Sequence, residues 1–502
     1  MNKYIVTLLI VLACLLTACG YRDYRYRNFS GTSGQAVSGG GTIMGRPSAT
    51  PSTDKEAAVV SGNGIHAADH VTAQMQTAEF WISKTVSPDK VLMSRKEIAK
   101  LNNKMLDTLS NDKNAVYHDL SKYGEYTDGS ALHARISNQG RFEGSYFSGE
   151  TEVTEKQWES YRALCNLDAI VNFNMIRYGV ICSRADVRSL PTQDNITDTK
   201  GDTGHDILQN TALAVNEPVL ILHTSRDGKW FYVVANEYEG WVLQDRVGLC
   251  QNRETWKMAQ EMEDFIVVTG DEISLRLLSP DGENRTSVYT MGTKFAIASK
   301  TEEEQMTKQK NIYDNYVVRI PVRDKDGQLT YQLTAVPLGK EVSHGYLDYT
   351  RANVIRQAFK LLGNSYGWGG MAGGRDCSSM TRDIYLCFGI RLPRDASSQA
   401  RIPVKGCISL DGLSDKEKKN KLNSVLPGTI LQMPGHVMIY LGSQDRRDYV
   451  ISANGTFIPS DEKKEENKNY QTRLVTVNDL QVRSPSNGKT WREQISTIVG
   501  IY

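Results

Sequence analysis

The sequence has almost no excess of charge of either sign. Its 502 residues contain 59 Lys and Arg against 58 Asp and Glu, which gives a formal net charge of +1. A protein that binds nucleic acid usually carries a clear excess of basic residues on one surface. The composition gives no such electrostatic signature, and we expect no nucleic-acid partner.

Long hydrophobic runs are also missing. The apolar run at residues 4–16 is shorter than the ~20 residues that a membrane-spanning helix needs. It follows Lys3 and precedes a short Leu-Thr-Ala-Cys segment that ends at Cys19, so the basic, hydrophobic and small-residue parts of a secretion signal occur in order. The start of the chain therefore predicts export, with an uncleaved anchor as the alternative.

The eight cysteines show no metal-ligand spacing, and we expect no metal or other cofactor. Cys14 lies inside the predicted leader, Cys19 lies at its end, and Cys377 belongs to a motif described next. The other five are an odd set, which we interpret as mostly buried free thiols. An oxidising compartment would permit up to two disulfides among them. These five are Cys165, Cys182, Cys250, Cys387 and Cys407.

Residues 375–389 place a cysteine at the beginning of an apolar helix. Met380 and Ile384 recur at helical spacing after Cys377, and Gly389 supplies a left-handed stop. Cys377 is therefore predicted in the first turn, where unpaired N–H groups and the helix dipole favour thiolate over thiol. We interpret Cys377 as a nucleophile.

A second motif puts a histidine at the start of a strand. Val437, Ile439 and Leu441 alternate with His436, Met438 and Tyr440, which indicates a period of two. Because 59 residues (436 − 377) separate the histidine from the cysteine, only the tertiary fold brings them together. A cysteine and a histidine arranged in this way are what a papain-like nucleophile needs. We predict that His436 is the base.

A third side chain normally orients the imidazole, and the next strand offers two. Ser452 and Asn454 are two residues apart, so they point to the same face. Asn454 is favoured because its amide oxygen accepts the imidazole N–H and its length gives reach. Ser452 is the alternative.

The segment 353–442 resembles the NlpC-type cell-wall cysteine peptidases. The resemblance implies a compact papain-like α+β fold that cleaves peptidoglycan stem peptides between γ-D-glutamate and a diamino acid, through an acyl-enzyme. The matching pieces, in order, are the helix at 353–363, YGWGG at 366–370, RDCSS at 375–379, LPRDASSQ at 392–399, and LPG at 426–428 ahead of GHVMIYLG at 435–442.

The resemblance also implies roles for further residues. It places Tyr366 near the oxyanion hole, beside the backbone N–H of the nucleophile. Asp376, Ser378 and either Ser397 or Ser398 would help to bind the free amine of a trimmed stem peptide. The predicted substrate-binding set is therefore Tyr366, Asp376, Ser378 and Ser397.

Two departures from the family pattern stand out. The third catalytic position is commonly a histidine, and Ser452 stands there in this chain, with Asn454 close by. A lysine-rich insert at 415–421 precedes the histidine strand, and we predict a solvated helix that starts at Ser414 with Glu417 as its capping partner.

Patterning along the chain predicts a multi-domain protein. An α+β papain-like C-terminal peptidase domain follows two small all-β SH3-like barrels and a helical N-terminal segment. The predicted ranges are a lipoprotein signal peptide at 1–19, a flexible linker at 20–75, a helical stabilising segment at 76–175, a first barrel at 176–255, a second barrel at 256–342 and the peptidase domain at 343–502.

The first barrel is expected to hold part of the cleft. In similar multi-domain peptidases it closes one side and restricts the enzyme to peptides with a free N-terminus, and Asp186 and Tyr238 are the weak candidates here. Trp230 and Trp241 are predicted to fill the core of the barrel rather than line a ligand groove.

The leader resembles a lipoprotein signal, which implies lipidation of Cys19 and, with Gly20 next, an outer-membrane location facing the periplasm. The sequence thus predicts a monomeric, envelope-anchored cysteine endopeptidase whose partners are peptidoglycan stem peptides and, through its lipid, the membrane. The alternatives are a peptidoglycan-binding lipoprotein with a weak or inactive peptidase fold, and an acyl-transfer enzyme that uses an amine instead of water.

Overall fold

The computed structural model describes residues 68, 70–278, 284–308, 311–460 and 470–502. The predicted signal peptide, Cys19 and most of the predicted linker lie outside these residues. Within the described ranges, no helix combines the length and apolar character required to cross a membrane. Val71 and Met75 are already buried in a hydrophobic core, so packing begins before the predicted boundary at residue 76.

The predicted helical segment starts with two helices, α1 (Ala78–Ser83) and α2 (Arg95–Ser110). Ser94 and Glu97 form a capping box at the start of α2, as their spacing suggests. One face of α2 is buried, through Ile98, Leu101, Met105 and Leu109. These side chains share a core with the C-terminal domain, so both helices pack on that domain.

The remainder of the predicted helical segment packs elsewhere. It contains α3 (Gly129–Gln139), α4 (Glu155–Leu164) and two short two-stranded sheets: β1 (Tyr126–Asp128) with β4 (Phe173–Met175), and β2 (Phe147–Ser148) with β3 (Thr151–Glu152). Trp158 and Tyr161 of α4 are buried in the same core as the strands that follow. The predicted segment at 76–175 thus contributes apolar faces to two different hydrophobic cores.

The next domain, β-domain 1 (residues 177–258), is a seven-stranded antiparallel sheet of order β11-β5-β8-β9-β10-β6-β7. Each face of the sheet contributes to a separate hydrophobic core, which explains why the strand Trp230–Val234 is buried at every position. Trp230 and Trp241 lie inside, as predicted. The elements are β5 (Arg177–Ile181), β6 (Ala185–Arg188), β7 (Gln209–Leu213), β8 (Pro218–Thr224), β9 (Trp230–Val234), β10 (Glu239–Leu243), β11 (Val247–Cys250) and α5 (Arg253–Met258).

A second small β-structure, β-domain 2 (residues 265–344), has its own core around Ile266, Phe295 and Val318. Its strands pair as β15-β12-β18, β13-β14 and β16-β17. The elements are β12 (Phe265–Val268), β13 (Glu272–Leu278), β14 (Asn284–Thr290), β15 (Lys294–Ala296), α6 (Lys300–Thr307), β16 (Asn315–Arg323), β17 (Leu329–Pro337) and β18 (Val342–His344).

The C-terminal domain is built on a six-stranded antiparallel sheet of order β19-β24-β20-β21-β22-β23. Its strands are β19 (Gly406–Ser409), β20 (Ile430–Met433), β21 (His436–Gln444), β22 (Arg447–Phe457), β23 (Tyr470–Asp479) and β24 (Thr497–Gly500). Its helices are α7 (Arg351–Phe359), α8 (Cys377–Leu386), α9 (Ala396–Gln399), α10 (Asp415–Leu422) and α11 (Trp491–Gln494).

Two cores sandwich this sheet. Val437 and Ile439 pack with α7 and α8 on one face, while Met438 and Tyr440 pack with α10 and α11 on the other. The helix α10 is the predicted lysine-rich excursion, and Ser414 and Glu417 form its capping box. The alternation seen in the sequence is thus the two-sided burial of one central strand.

Candidate active site

Cys377 is the first residue of α8, as its position in the sequence motif predicts. Asp376 caps the helix: its carboxylate accepts the N–H of Ser379 at 2.9 Å, and the Ser379 hydroxyl accepts the N–H of Asp376 at 3.0 Å. Cys377 is buried among the core residues, with 8% of the residue exposed. The cysteine is therefore held in place by a rigid helix start.

The surroundings of this thiol act on its pKa in opposite directions. Burial and, to a smaller extent, the Asp376 carboxylate together raise the pKa of Cys377 to about 12, while the N–H groups of Val437 and Ser378 oppose the rise. A shift from 9 to about 12 corresponds to roughly 4 kcal/mol, whereas a helix terminus contributes about 0.3–1 kcal/mol. Burial thus favours the neutral thiol and opposes the effect of the helix start, and the thiolate stays a prediction.

His436 begins β21, directly after the two-residue turn that follows Met433. Its Nε2 is 3.1 Å from the Ser452 hydroxyl oxygen, and the Trp491 ring packs on the imidazole at 4.9 Å between centroids. Burial lowers the pKa of His436 to about 4, with the Asp376 carboxylate acting in the opposite direction. The imidazole is consequently neutral at physiological pH and has one ring nitrogen committed to Ser452.

The fold brings the two motifs together. Helix α8 packs on β21, the backbone N–H of Val437 lies against the Cys377 thiol, and the charge of Asp376 reaches His436. No hydrogen bond joins the thiol to the imidazole among the described residues. Neighbouring residues of the two motifs thus meet, with the imidazole turned toward Ser452.

Asn454, the favoured orienting residue, does not contact His436. Its Nδ2 donates to the Thr476 hydroxyl at 2.8 Å and to the Ser452 carbonyl at 3.2 Å, and its Oδ1 accepts from the Thr472 hydroxyl at 2.6 Å. The side chain is saturated by bonds within its own strand and to β23. Ser452, the alternative, occupies the position that was expected for Asn454.

Substituting Ser452 by alanine should reduce kcat/KM for a cleavable peptide by about 10- to 150-fold. The expected loss corresponds to a hydrogen bond worth about 1.5–3 kcal/mol when the imidazole becomes charged in the reaction. The matched control is Asn454→Ala, which removes bonds to Thr472 and Thr476 and leaves the His436 contact in place. Steady-state kinetics that show a larger loss for Asn454→Ala would contradict the assignment.

A buried ion pair holds the helix start. Arg394 donates to both carboxylate oxygens of Asp376 and, at 2.9 Å, to the Ser378 hydroxyl. Asp376 also accepts the N–H of Gly369 at 3.1 Å. The carboxylate predicted to receive a substrate amine is thus already paired with a guanidinium, and amine binding by Asp376 and Ser378 stays a prediction. Ser397 is exposed.

Tyr366 lies beside the thiol. Burial raises the pKa of Tyr366, and the nearby charges of Cys377 and Asp376 raise it further, so the phenol keeps its proton and can donate a hydrogen bond. Its backbone N–H donates to the Arg473 carbonyl at 2.7 Å. Its place near an oxyanion hole stays a prediction, and a neutral phenol suits that role.

Strand β7 of β-domain 1 forms part of the site, which the sequence did not indicate. Gln209 donates to the Gly369 carbonyl at 3.0 Å, and Arg394 Nε donates to the Thr211 hydroxyl at 2.8 Å. Gly369 has φ +54°, and a Cβ there would lie 2.8 Å from the Gln209 carbonyl oxygen, so only glycine fits this close approach. The second glycine of the YGWGG motif was the one available signal.

Asp186 and Tyr238, the two residues of the first barrel predicted to limit the cleft, also lie near the contact between β-domain 1 and the C-terminal domain. Tyr238 donates to Asp395 at 2.8 Å, on the segment that carries Ser397. Asp186 accepts from Gln209 at 3.0 Å and is half exposed. Both residues therefore lie close to the C-terminal domain, while a contact with substrate stays a prediction.

The six cysteines of the described chain are free thiols, so the alternative of disulfides among them is not realised. A search of the same described residues finds no group of three or more histidine, cysteine or acidic side chains that could hold a metal ion.

A cysteine at a helix start, packed on an antiparallel sheet beside a strand that opens with histidine, defines the papain-like class of cysteine peptidase folds. Residues 363–493 match the NlpC/P60 family, and residues 194–243 match the SH3 domain of the SH3b1 type. The chain therefore carries an NlpC/P60 peptidase domain preceded by an SH3 domain, and the predicted family and fold class are confirmed.

The chain is also similar to individual known proteins. The chain is 31% identical over 105 residues to dipeptidyl-peptidase 6 of Lysinibacillus sphaericus, a match that covers 20% of this chain and 34% of that protein, about a third of its length. A structure described as a novel NlpC/P60 endopeptidase from Photobacterium damselae subsp. piscicida shares the fold, with 17% identity and a TM-score of 0.63 over 84% of this chain and 96% of the other. An NlpC/P60 protein from Bacillus cereus ATCC 10987 matches at 17% identity and a TM-score of 0.42, covering 64% and 98%.

Proposed function

We propose that this protein is an envelope-anchored cysteine endopeptidase that hydrolyses the bond between γ-D-glutamate and a diamino acid in peptidoglycan stem peptides. The observation that carries the proposal is the start of α8, where Cys377 lies against the strand that begins with His436. Ser452 holds Nε2 of the imidazole, which leaves Nδ1 as the nitrogen available to act as a base.

The proposed reaction begins with two neutral groups. Nδ1 of His436 takes the thiol proton as the Cys377 sulfur attacks the glutamyl side-chain carbonyl carbon. The tetrahedral oxyanion is stabilised by the N–H of Cys377 and the Tyr366 phenol. The C–N bond then breaks and the imidazolium returns its proton to the departing amine. Water attacks the thioester with His436 again as base, and the imidazolium gives this proton to the Cys377 thiolate as it leaves.

Release of a dipeptide suits both the substrate and the relative. The curated relative is named a dipeptidyl-peptidase. In a stem peptide that begins with L-Ala-γ-D-Glu, cleavage after the second residue frees a dipeptide. The partly buried Tyr238 and the half-exposed Asp186 of β-domain 1, together with the exposed Ser397, are the side chains that we propose to meet the free amine. Lipidated Cys19 would anchor the protein at the outer membrane.

The acid limb in the pH dependence of kcat/KM should lie at an unusually low pH. Neutral imidazole is the base, and burial lowers the pKa of His436 to about 4, so activity should fall as the pH drops through about 4 rather than through 6.5. No alkaline limb is expected up to pH 10, because the pKa of Cys377 is raised to about 12. Rates measured from pH 3.5 to 10, with tryptophan fluorescence confirming that the chain stays folded, test this; a half-maximum near 6.5 would contradict it.

The purified chain incubated with L-Ala-γ-D-Glu-diaminopimelate and with intact peptidoglycan tests the function. Mass spectrometry should show L-Ala-γ-D-Glu as the released product from the free peptide. The absence of any product from either substrate would overturn the proposal, and an amine-linked product would indicate acyl transfer.

A second candidate is a peptidoglycan-binding lipoprotein with a weak or inactive peptidase fold. The buried thiol with its raised pKa, and the lack of a thiol–imidazole hydrogen bond among the described residues, favour it. Binding of the peptide by calorimetry without turnover would support this second function.

A further inference from the structure

Arg473 lies in a strained position next to the candidate active site. The pairing of β22 with β23 shifts between Asn454↔Leu474 and Thr456↔Gln471, so Arg473 sits in a β-bulge. Its φ is +44°, in the left-handed region that non-glycine residues rarely adopt. Bulges near active sites commonly redirect one side chain. The bulge and the positive φ therefore set the direction of one cationic side chain, that of Arg473.

The guanidinium of Arg473 reaches toward the SH3 domain. Its Nη2 donates to both carboxylate oxygens of Asp202, at 2.9 and 3.1 Å. It also lies directly over Gly204, where a Cβ would meet the guanidinium. The Arg473 side chain is 40% exposed and that of Asp202 is 25% exposed. The cation is therefore open to solvent even while it is paired.

The same arginine contacts a residue of the candidate active site. Its backbone carbonyl accepts the N–H of Tyr366 at 2.7 Å. The Tyr366 phenol lies within electrostatic reach of both Arg473 and Cys377. Tyr366 therefore connects the bulge that carries Arg473 to the region where an acyl group attached to Cys377 would lie.

We propose that Arg473 is a specificity residue that binds a carboxylate on the acyl side of the scissile bond, and that Asp202 competes for it. This inference rests on the proposed function. A γ-linked glutamate carries its free α-carboxylate only three carbons from the carbonyl that the thiol attacks, so the acyl residue brings an anion to this place. Guanidinium is the side chain best suited to a carboxylate, and Asp202 occupies it when the site is empty.

Competition between Asp202 and substrate for Arg473 predicts KM changes of opposite sign in the two single variants, whereas a purely structural role of the pair does not. If Asp202 competes, Asp202→Asn should lower KM and Arg473→Gln should raise it. If the pair merely ties two domains together, both substitutions should impair the protein in the same direction. The opposite effects on KM therefore separate the two interpretations.

The experiment uses two peptides, L-Ala-γ-D-Glu-diaminopimelate and the same peptide with the glutamate α-carboxylate converted to a carboxamide. The wild-type chain should prefer the carboxylate by about 10- to 100-fold, the range expected for a charge-assisted hydrogen bond. Arg473→Gln should reduce this preference to about 1, and Arg473→Lys should restore part of it. The matched control is Arg226→Gln, which breaks an exposed ion pair between Arg226 of β-domain 1 and Asp168. It should leave the preference unchanged.

Binding of both peptides to the Cys377→Ala chain, measured by calorimetry, keeps the inference separate from the chemistry. If the wild type cleaves neither peptide, the proposed function fails, and the binding preference still decides the role of Arg473. Equal affinity for the two peptides overturns the inference, as does a preference that survives in Arg473→Gln. Thermal unfolding of each variant shows whether the fold is intact.

Discussion

Replacing Cys377 by alanine should lower kcat/KM for the stem peptide by about 10⁴-fold or more. Nucleophile deletions in peptidases of this kind remove nearly the whole chemical step and leave only the contribution of binding and oxyanion stabilisation. Within the described residues of the C-terminal domain, no second thiol is placed to substitute: Cys387 is fully buried at the far end of α8, and Cys407 lies on an edge strand. The measurement is peptide turnover by mass spectrometry with purified chains.

Cys250→Ala is the matched control, since this thiol is partly exposed, has a pKa raised to about 11 and belongs to β-domain 1. Its turnover should equal that of the wild type. Iodoacetamide should modify Cys377 slowly at pH 8, because the pKa of its thiol is raised to about 12. Retained turnover in Cys377→Ala would remove the proposed mechanism, and rapid alkylation at pH 8 would contradict the neutral resting thiol.

Local chemistry explains what could be read from the sequence. A capping residue and its partner three positions later interact only with the first helical turn, so Ser94 with Glu97 could be placed without knowledge of the fold. The same holds for Cys377 at the start of α8 and for His436 at the start of β21. Each prediction depended on neighbours within a few residues.

The choice between Ser452 and Asn454 depended on contacts with residues farther along the chain. Both residues lie on one face of β22, and the spacing of two gives no further discrimination. What separates them is β23, whose Thr472 and Thr476 saturate the Asn454 amide. That contact follows from the pairing of two strands and from a bulge, neither of which leaves a mark in the sequence.

The electrostatics of the site were even less accessible from the sequence. A helix start favours a thiolate, yet burial in the core acts on Cys377 in the opposite direction. How much water reaches a side chain is set by everything that packs around it, including α1, α2 and strand β7. The sequence also did not indicate that residues 76–175 contribute to two cores, because an apolar helix face does not identify its partner.

Breaking the ion pair between Arg394 and Asp376 should lower the free energy of unfolding more than any other substitution proposed here. Both side chains are buried, with exposures of 5% and 8%, and Arg394→Gln would leave the Asp376 carboxylate without its cation beneath the nucleophile. Breaking a buried pair in this way costs about 3–5 kcal/mol. By contrast, Arg226→Gln breaks an exposed pair whose contribution is about 0–1 kcal/mol.

Urea unfolding followed by tryptophan fluorescence compares these variants. The transition that reports on the NlpC/P60 domain should move to a clearly lower urea concentration in Arg394→Gln and stay nearly unchanged in Arg226→Gln. The double variant Asp376→Asn with Arg394→Gln should lose less than the sum of the two single changes, because each single change leaves an unpaired charge and the double change leaves none. Equal shifts for the buried and exposed arginines would show that the pair does not hold the helix start in place, and the position of Cys377 would then need another support.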